Sequence, residues 1–123
     1  MDERRKVLKG LEFAVPAKRD LLALSAEIRQ AIGYQLHLVQ MGLMPEDFVP
    51  MNNVGSGVYE IRVEDENDKN TGRCFYVSKF KDTVYVLHCF KKLSRKTAQK
   101  DIDTGKRRYK AMLTTLKDKE KSR

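Results

Sequence analysis

The alternation of apolar and polar positions predicts helices in the first part of the chain and strands in the second. Residues 7–15 alternate in part and end at Pro16, which favours a short opening strand. A short helix is predicted over 17–24, followed by a second helix that Ser25 can cap. An apolar stripe at spacings of three and four continues along this second helix until Gly42 and Pro45, and it consists of Ile28, Ile32, Gln35, Leu36, Val39 and Leu43. These two helices should cover one face of a sheet.

Three further segments have the composition of strands. Residues 58–64 alternate, while 72–79 and 83–91 are rich in aromatic and β-branched side chains. Because their connections are short, they can only form an antiparallel meander. The preceding segment, 44–57, contains two prolines and two glycines and is predicted to be an ordered connection without regular structure.

A final helix is predicted from Ala98 to about Leu116, with Thr97 as its cap and a fraying tail over 117–123. A chain of 123 residues has room for one modest core. The sequence therefore predicts a single α+β domain over residues 1–123. Its elements are an N-terminal strand, two helices, an antiparallel three-stranded meander and a C-terminal helix.

Several classes of protein are disfavoured by what the sequence lacks. There is no apolar run of the length that a membrane span needs, and no apolar segment typical of a secretory signal follows the basic residues near the start. A cytoplasmic protein is therefore expected. Cys74 and Cys89 are too few for a disulfide framework and lack zinc spacing, so we expect free thiols and no metal site. The glycines at 55 and 57 precede a strand rather than a helix, so no nucleotide cofactor is implied.

Charge is distributed unevenly along the chain. Residues 1–54 carry seven basic and seven acidic side chains, whereas residues 55–123 carry eighteen basic and ten acidic ones, which accounts for the net charge of +8. Such an asymmetry suggests a polyanionic partner, with nucleic acid favoured over a membrane surface. A solvated, soluble surface is the simpler alternative.

The predicted strand register brings several basic residues together into a candidate site. If the last hairpin turns at Lys81 and Asp82, Cys74 faces Cys89, Phe75 faces His88 and Arg73 faces Phe90. The preceding hairpin can set Arg62 opposite Arg73 on the same face. Two opposed arginines would repel each other unless an anion lies between them. The cluster of Arg62, Arg73 and His88 therefore suggests that an anion such as phosphate binds there.

Each of these residues also has a simpler interpretation. Arg62 could form a salt bridge with Glu60 or Glu64, and His88 could be a hydrogen-bonded, half-buried strand residue. Its ability to exchange a proton near neutral pH keeps it a candidate for acid–base catalysis. Further basic residues could contact backbone phosphates, although lysines also simply blunt strand ends. The predicted phosphate-binding group is Lys79, Lys91, Lys92, Arg95 and Lys96, and a basic helix face continues it through Lys106, Arg107, Arg108 and Lys110.

An ordered series of motifs resembles the phage-derived HigB branch of the RelE/ParE toxin superfamily over roughly residues 10 to 113. The motifs are Gly-Val-Tyr-Glu-Ile-Arg at 57–62, Gly-Arg-Cys-Phe-Tyr-Val at 72–77, Leu-His-Cys-Phe-Lys-Lys at 87–92, Lys-Thr-Ala at 96–98 and the segment 102–109. Ala98 stands where the family commonly has proline, a difference that concerns helix initiation.

The resemblance implies the toxin of a toxin–antitoxin pair, a metal-independent endoribonuclease (mRNA interferase) that cleaves mRNA, usually on the ribosome, and stops translation and growth. Its implied partners are a helix-turn-helix antitoxin, mRNA and the ribosome. Arg62 and Arg73 match the family's strand arginines and would contact the phosphate, Lys91 and Lys92 match its basic pair, and His88 is the candidate base or acid. Two alternatives remain open: a ParE-type toxin that inhibits gyrase, and a non-catalytic nucleic-acid-binding module.

Overall fold

A computed structural model describes residues 8–65, 71–92 and 96–121. This part of the chain is mixed α+β, and most of its elements lie close to the predicted positions. In chain order they are β1 (Gly10–Phe13), α1 (Ala17–Leu22), α2 (Ala26–Gln40), β2 (Phe48–Pro50), β3 (Val58–Glu64), β4 (Thr71–Val77), β5 (Thr83–Lys92) and α3 (Gln99–Lys121).

The sheet contains the antiparallel succession β3-β4-β5 but is larger than the predicted three-stranded meander. Its order is β1-β5-β4-β3-β2, with β1 parallel to β5 and β2 antiparallel to β3. The expectation that 44–57 lacks regular structure is therefore wrong for Phe48–Pro50, which pairs with residues 59–61 of β3. A proline is tolerated there because β2 is an edge strand, where one row of backbone groups has no strand to pair with.

The second helix begins as predicted. The Ser25 hydroxyl accepts a hydrogen bond from the backbone N–H of Ile28, and the apolar stripe is buried from Ile28 to Val39. Leu43, predicted to continue that stripe, lies beyond the helix and is 49% exposed. The chain turns at Gly42, whose φ of 87° is a left-handed conformation that glycine adopts without strain.

The last helix differs from the prediction at both ends. It starts at Gln99, where the carbonyl of Ala98 accepts from the N–H groups of Asp101 and Ile102, while the Thr97 hydroxyl donates to a strand carboxylate instead. At the other end the helix continues to Lys121, so the fraying predicted from residue 117 does not occur over 117–121. Lysine and glutamate are strong helix formers, which favours this extension.

Two apolar cores lie on opposite faces of the sheet, so the expectation of one core is wrong. Helices α1 and α2 cover one face, as predicted, with Ile32 and Leu36 packed against Ile61 and Cys74. Helix α3 covers part of the other face through a second core that includes Ile102, Tyr109 and Met112. None of the described helices is long and apolar enough to cross a bilayer. The face beneath α3 carries the polar residues considered next.

Candidate active site

The predicted strand register is correct at the candidate residues. Arg62 pairs with Arg73 across β3 and β4, Arg73 pairs with Phe90, and Phe75 pairs with His88 across β4 and β5. A register irregularity follows Phe75, beyond the segment that holds the arginines. Because side chains alternate between faces, both arginines and His88 lie on the α3 face.

A buried carboxylate occupies the space between the two arginines. Glu60 is fully buried, and its Oε1 lies 3.2 Å from Arg62 Nε and 3.9 Å from Arg73 Nε. Its other oxygen, Oε2, accepts a hydrogen bond of 2.8 Å from the Thr97 hydroxyl just before α3. The salt bridge between Arg62 and Glu60, the simpler interpretation of Arg62, therefore exists, and it belongs to a larger group that joins β3, β4 and the start of α3.

Arg73 is the most deeply buried of the predicted site cations. Only 7% of the residue is exposed, and Nη1 donates to the carbonyl of Gly72 at 2.9 Å. Burial lowers the pKa of its guanidinium, an effect that nearby Glu60 opposes and that Arg62 adds to. Among the described residues its Nε has no hydrogen-bond partner. Buried polar groups are usually hydrogen-bonded, so an unpartnered donor in a charged cluster suggests that a ligand supplies the missing acceptor.

Lys92 adds a third basic group to this cluster. It ends β5 opposite Thr71, on the same face as Phe90. Its pKa is lowered first by burial and then by the positive charges of Arg73 and Arg62, while Glu60 acts in the opposite direction. One buried carboxylate thus faces three basic side chains, and the group composed of Glu60, Arg62, Arg73 and Lys92 is called the arginine cluster below.

His88 belongs to a different set of contacts. Its Nε2 lies 2.8 Å from Asp101 Oδ1 on α3, and its Nδ1 lies 3.3 Å from Arg108 Nη1 and 3.8 Å from Asp20 Oδ2 on α1. Arg108 also donates to Asp20 and to the carbonyl of Leu87. This network links α1, β5 and α3, so His88 is hydrogen-bonded as in its simpler interpretation, but it is buried, at 8% exposure, rather than half-buried.

The predicted cluster of Arg62, Arg73 and His88 therefore shares a face but divides into two groups. The Phe90 ring stacks on the His88 ring at 4.7 Å between centroids and stands opposite Arg73 in the sheet. Burial lowers the pKa of His88, an effect that Asp101 opposes, so the imidazole is neutral near pH 7. A neutral ring that donates from Nε2 to Asp101 leaves Nδ1 as the acceptor facing Arg108.

The remaining predicted phosphate contacts are scattered. Lys79 lies beyond the opposite end of β4 from Arg73, where its Nζ donates to the Tyr109 hydroxyl at 3.1 Å. Lys91 is exposed on the α2 face, because it alternates with Lys92, and Lys96 is exposed next to Thr97. Arg95 lies outside the described residues. On α3 the side chains of Lys106, Arg107 and Lys110 are exposed.

Sequence reasoning did not identify Asp20, Asp101 or Thr97 as partners of the site, and it placed Arg108 on a basic helix face rather than against His88. One signal was available: Asp101 and Arg108 are seven residues apart, the same spacing as the buried Ile102 and Tyr109. A polar pair that stands one residue before a buried apolar pair lies at the border of the packed face of a helix. Such a pair is placed to contact polar groups of the sheet.

Comparison with known proteins gives one family match. Residues 19–110 match the model of the family described as phage derived protein Gp49-like (DUF891). No curated protein matches the chain. The match covers most of the chain, including both arginines and His88, so the chain belongs to the Gp49-like family, which is part of the RelE/ParE-like toxin superfamily. Members are often the toxins of toxin–antitoxin pairs, and the family is associated with toxin-type nuclease activity.

Proposed function

We propose that this member of the Gp49-like family is the toxin of a toxin–antitoxin pair and acts as a metal-independent endoribonuclease on mRNA. The observation that supports this most directly is the pair of arginines facing each other on β3 and β4, with Arg73 buried and its Nε unpartnered among the described residues. HigB-like activity on the ribosome, with arrest of translation, is the more specific form of the proposal.

The charges of the arginine cluster fit a phosphodiester. Two guanidinium groups and Lys92 stand against one buried carboxylate, Glu60. The hydrogen bond from Arg62 to Glu60 uses Nε, whereas Arg73 Nε lies 3.9 Å from the same oxygen, too far for a hydrogen bond. Guanidinium groups bind phosphate oxygens through two parallel hydrogen bonds, and such charge-assisted bonds are about twice as strong as neutral ones.

The proposed reaction needs no redox change. The ribose 2′-hydroxyl loses its proton to a base, its oxygen bonds to the adjacent phosphorus, and the bond from phosphorus to the 5′-oxygen breaks. The leaving oxygen takes a proton from an acid, which gives a 2′,3′-cyclic phosphate and a 5′-hydroxyl end. Arg62 and Arg73 stabilise the extra negative charge of the phosphorane transition state, where preorganised donors have their largest effect.

His88 is proposed as the proton carrier in this reaction. Its lowered pKa leaves the ring neutral at pH 7, and Asp101 fixes the tautomer through Nε2, so Nδ1 is the atom able to accept a proton. Arg108 must release its contact with Nδ1 for this to happen. If His88 is the base, cleavage falls as pH decreases through the lowered pKa of the ring. A pH–rate profile of the wild type against His88→Gln tests this role separately from the arginines.

The partners follow from the same proposal. A helix-turn-helix antitoxin would neutralise the toxin in the cytoplasm, and mRNA together with the ribosome would be its target. The basic residues of the arginine cluster and the exposed Lys96 would contact the RNA backbone. Such contacts weaken with increasing salt, because bound phosphates release counterions.

The test is inducible expression of the wild type, Arg73→Met and the control Arg19→Met, with growth and mRNA 5′ ends followed in the same cells. Arg19 is exposed on α1 and is not among the candidate site residues. We expect growth arrest and new 5′-hydroxyl ends in the wild type and the control, and neither in Arg73→Met. Arrest without new ends would indicate another target such as gyrase, and absence of arrest in the wild type would favour a non-catalytic binding module.

A further inference from the structure

Glu60 is the acidic member of the arginine cluster and has no assigned role. It lies in the middle of β3, pairs with Phe75 of β4 and is fully buried on the α3 face. Burying a carboxylate is costly unless charged and hydrogen-bonding partners surround it. Its partners here are the two arginines at Oε1 and the Thr97 hydroxyl at Oε2.

The two oxygens connect different parts of the fold. Oε1 is shared by Arg62 and Arg73, which face each other as like charges and would turn apart without an anion between them. Oε2 is bound to Thr97, which immediately precedes α3. The carboxylate thus accepts a hydrogen bond from Arg62 Nε and attracts the Arg73 guanidinium at 3.9 Å, and it fixes the start of α3 against the same point of the sheet.

We propose that Glu60 is a positioning residue that holds Arg62 and Arg73 in the orientation needed to stabilise the transition state. This inference rests on the proposed ribonuclease function. Glu60 touches the arginines rather than the substrate, so its effect on the reaction passes through them.

In this role, the Glu60 charge affects anion binding and the cleavage rate in opposite directions. A buried negative charge next to the phosphate site repels a phosphate in the ground state, so its removal strengthens anion binding. The same removal frees the arginines from their fixed geometry, and catalysis depends on donors held in place before the charge develops. Loss of the Glu60 charge should therefore tighten anion binding and slow cleavage.

The test uses Glu60→Gln, which keeps the size of the side chain and an acceptor for Thr97. Glu64→Gln is the matched control, because Glu64 is an exposed carboxylate four residues later in the same strand. Binding of inorganic pyrophosphate to the purified protein is measured by titration calorimetry. Cleavage is measured as the single-turnover rate constant for mRNA on purified ribosomes.

We expect Glu60→Gln to cleave at least tenfold more slowly and to bind pyrophosphate about threefold or more tightly, with Glu64→Gln within twofold of the wild type in both assays. A partly unfolded variant would lose both properties together, so the opposite directions separate positioning from a structural role. A cleavage rate within twofold of the wild type, or pyrophosphate binding that is unchanged or weaker, would overturn the proposal. If the wild type itself fails to cleave RNA, the proposed function fails and this inference fails with it.

Thr97→Val provides a second variant in case Glu60→Gln does not fold. It removes only the hydrogen bond to Oε2 and keeps both the shape of the side chain and the negative charge of Glu60. We expect cleavage to fall about threefold or more while pyrophosphate binding stays within twofold of the wild type. A wild-type cleavage rate in Thr97→Val would contradict the proposed positioning.

Discussion

Arg73 should contribute far less to the stability of the fold than a buried, ion-paired arginine usually does. Replacing it by methionine keeps much of the packing of its stem. The change removes an attraction to Glu60 across 3.9 Å, which is worth about 4 kcal/mol at an effective dielectric constant of about 20. It also removes the bond to the Gly72 carbonyl, a charge-assisted bond worth about 1.5–3 kcal/mol.

The same substitution also removes destabilising contributions to the folded state that are similar in size to the lost attractions. Desolvation of a buried ion costs several kcal/mol, and an unsatisfied buried N–H such as Arg73 Nε costs about 1–3 kcal/mol. Repulsion from Arg62 directly opposite disappears as well. The gains and losses nearly cancel, so the free energy of unfolding of Arg73→Met should lie within about 1 kcal/mol of the wild type.

Urea unfolding followed by circular dichroism measures this difference, and the melting temperature should shift by no more than about 5 °C. Breaking an ordinary buried ion pair costs about 3–5 kcal/mol. A loss above about 2 kcal/mol would refute the reasoning, because Arg73 would then be a structural residue whose burial is already compensated by Glu60. A near-neutral result together with loss of cleavage would indicate that the arginine serves the reaction rather than the fold.

Three further predictions concern the packing around the site. In Gly72→Ala the new Cβ would overlap Ile28 Cγ2, so thermal unfolding should show a loss of about 1–3 kcal/mol. Ile28→Ala removes the overlapping group but leaves a cavity, so the double variant should lose less than the sum of the two single losses; additive losses would contradict this. Ser25→Ala removes the cap of α2 and should cost about 1 kcal/mol in the same assay, whereas an unchanged stability would show that the cap contributes nothing. Folding lowers the pKa of His88 from its usual 6.5, so the unfolded chain binds more protons than the folded chain below that pH. The stability that the neutral ring contributes is therefore present above about pH 6.5 and is lost as pH falls. His88→Gln should flatten this part of the curve of unfolding free energy against pH, and an unchanged slope would refute the assignment.

The strands and the facing arginines could be predicted from the sequence because their determinants are local. The short turn at Lys81 and Asp82 fixes which residues of β4 and β5 oppose each other, and alternation then assigns their faces. The same logic placed Arg62 opposite Arg73, although the connection between their strands is longer.

The features that were missed depend on contacts between distant segments. Strand β2 has three residues and is defined by its backbone pairing with β3, which leaves no periodicity to read. Strands β1 and β5 are the first and last strands along the chain, and they pair in parallel. The partners of His88 depend on how α3 and α1 dock, which strand register does not specify. Glu60 was considered as a partner of Arg62, but its burial and its bond to Thr97 also depend on the docking of α3.

The most direct test of the central claim is a double-mutant cycle on Arg62 and Arg73. Single-turnover cleavage of mRNA on purified ribosomes is measured for the wild type, Arg62→Met, Arg73→Met and the double variant, and the new ends are mapped. If both arginines bind one phosphate, each single substitution should slow cleavage about a hundredfold, and the double variant should be scarcely slower than the worse single one. Cleavage at the wild-type rate in Arg73→Met, with the same 5′-hydroxyl ends, would contradict the account.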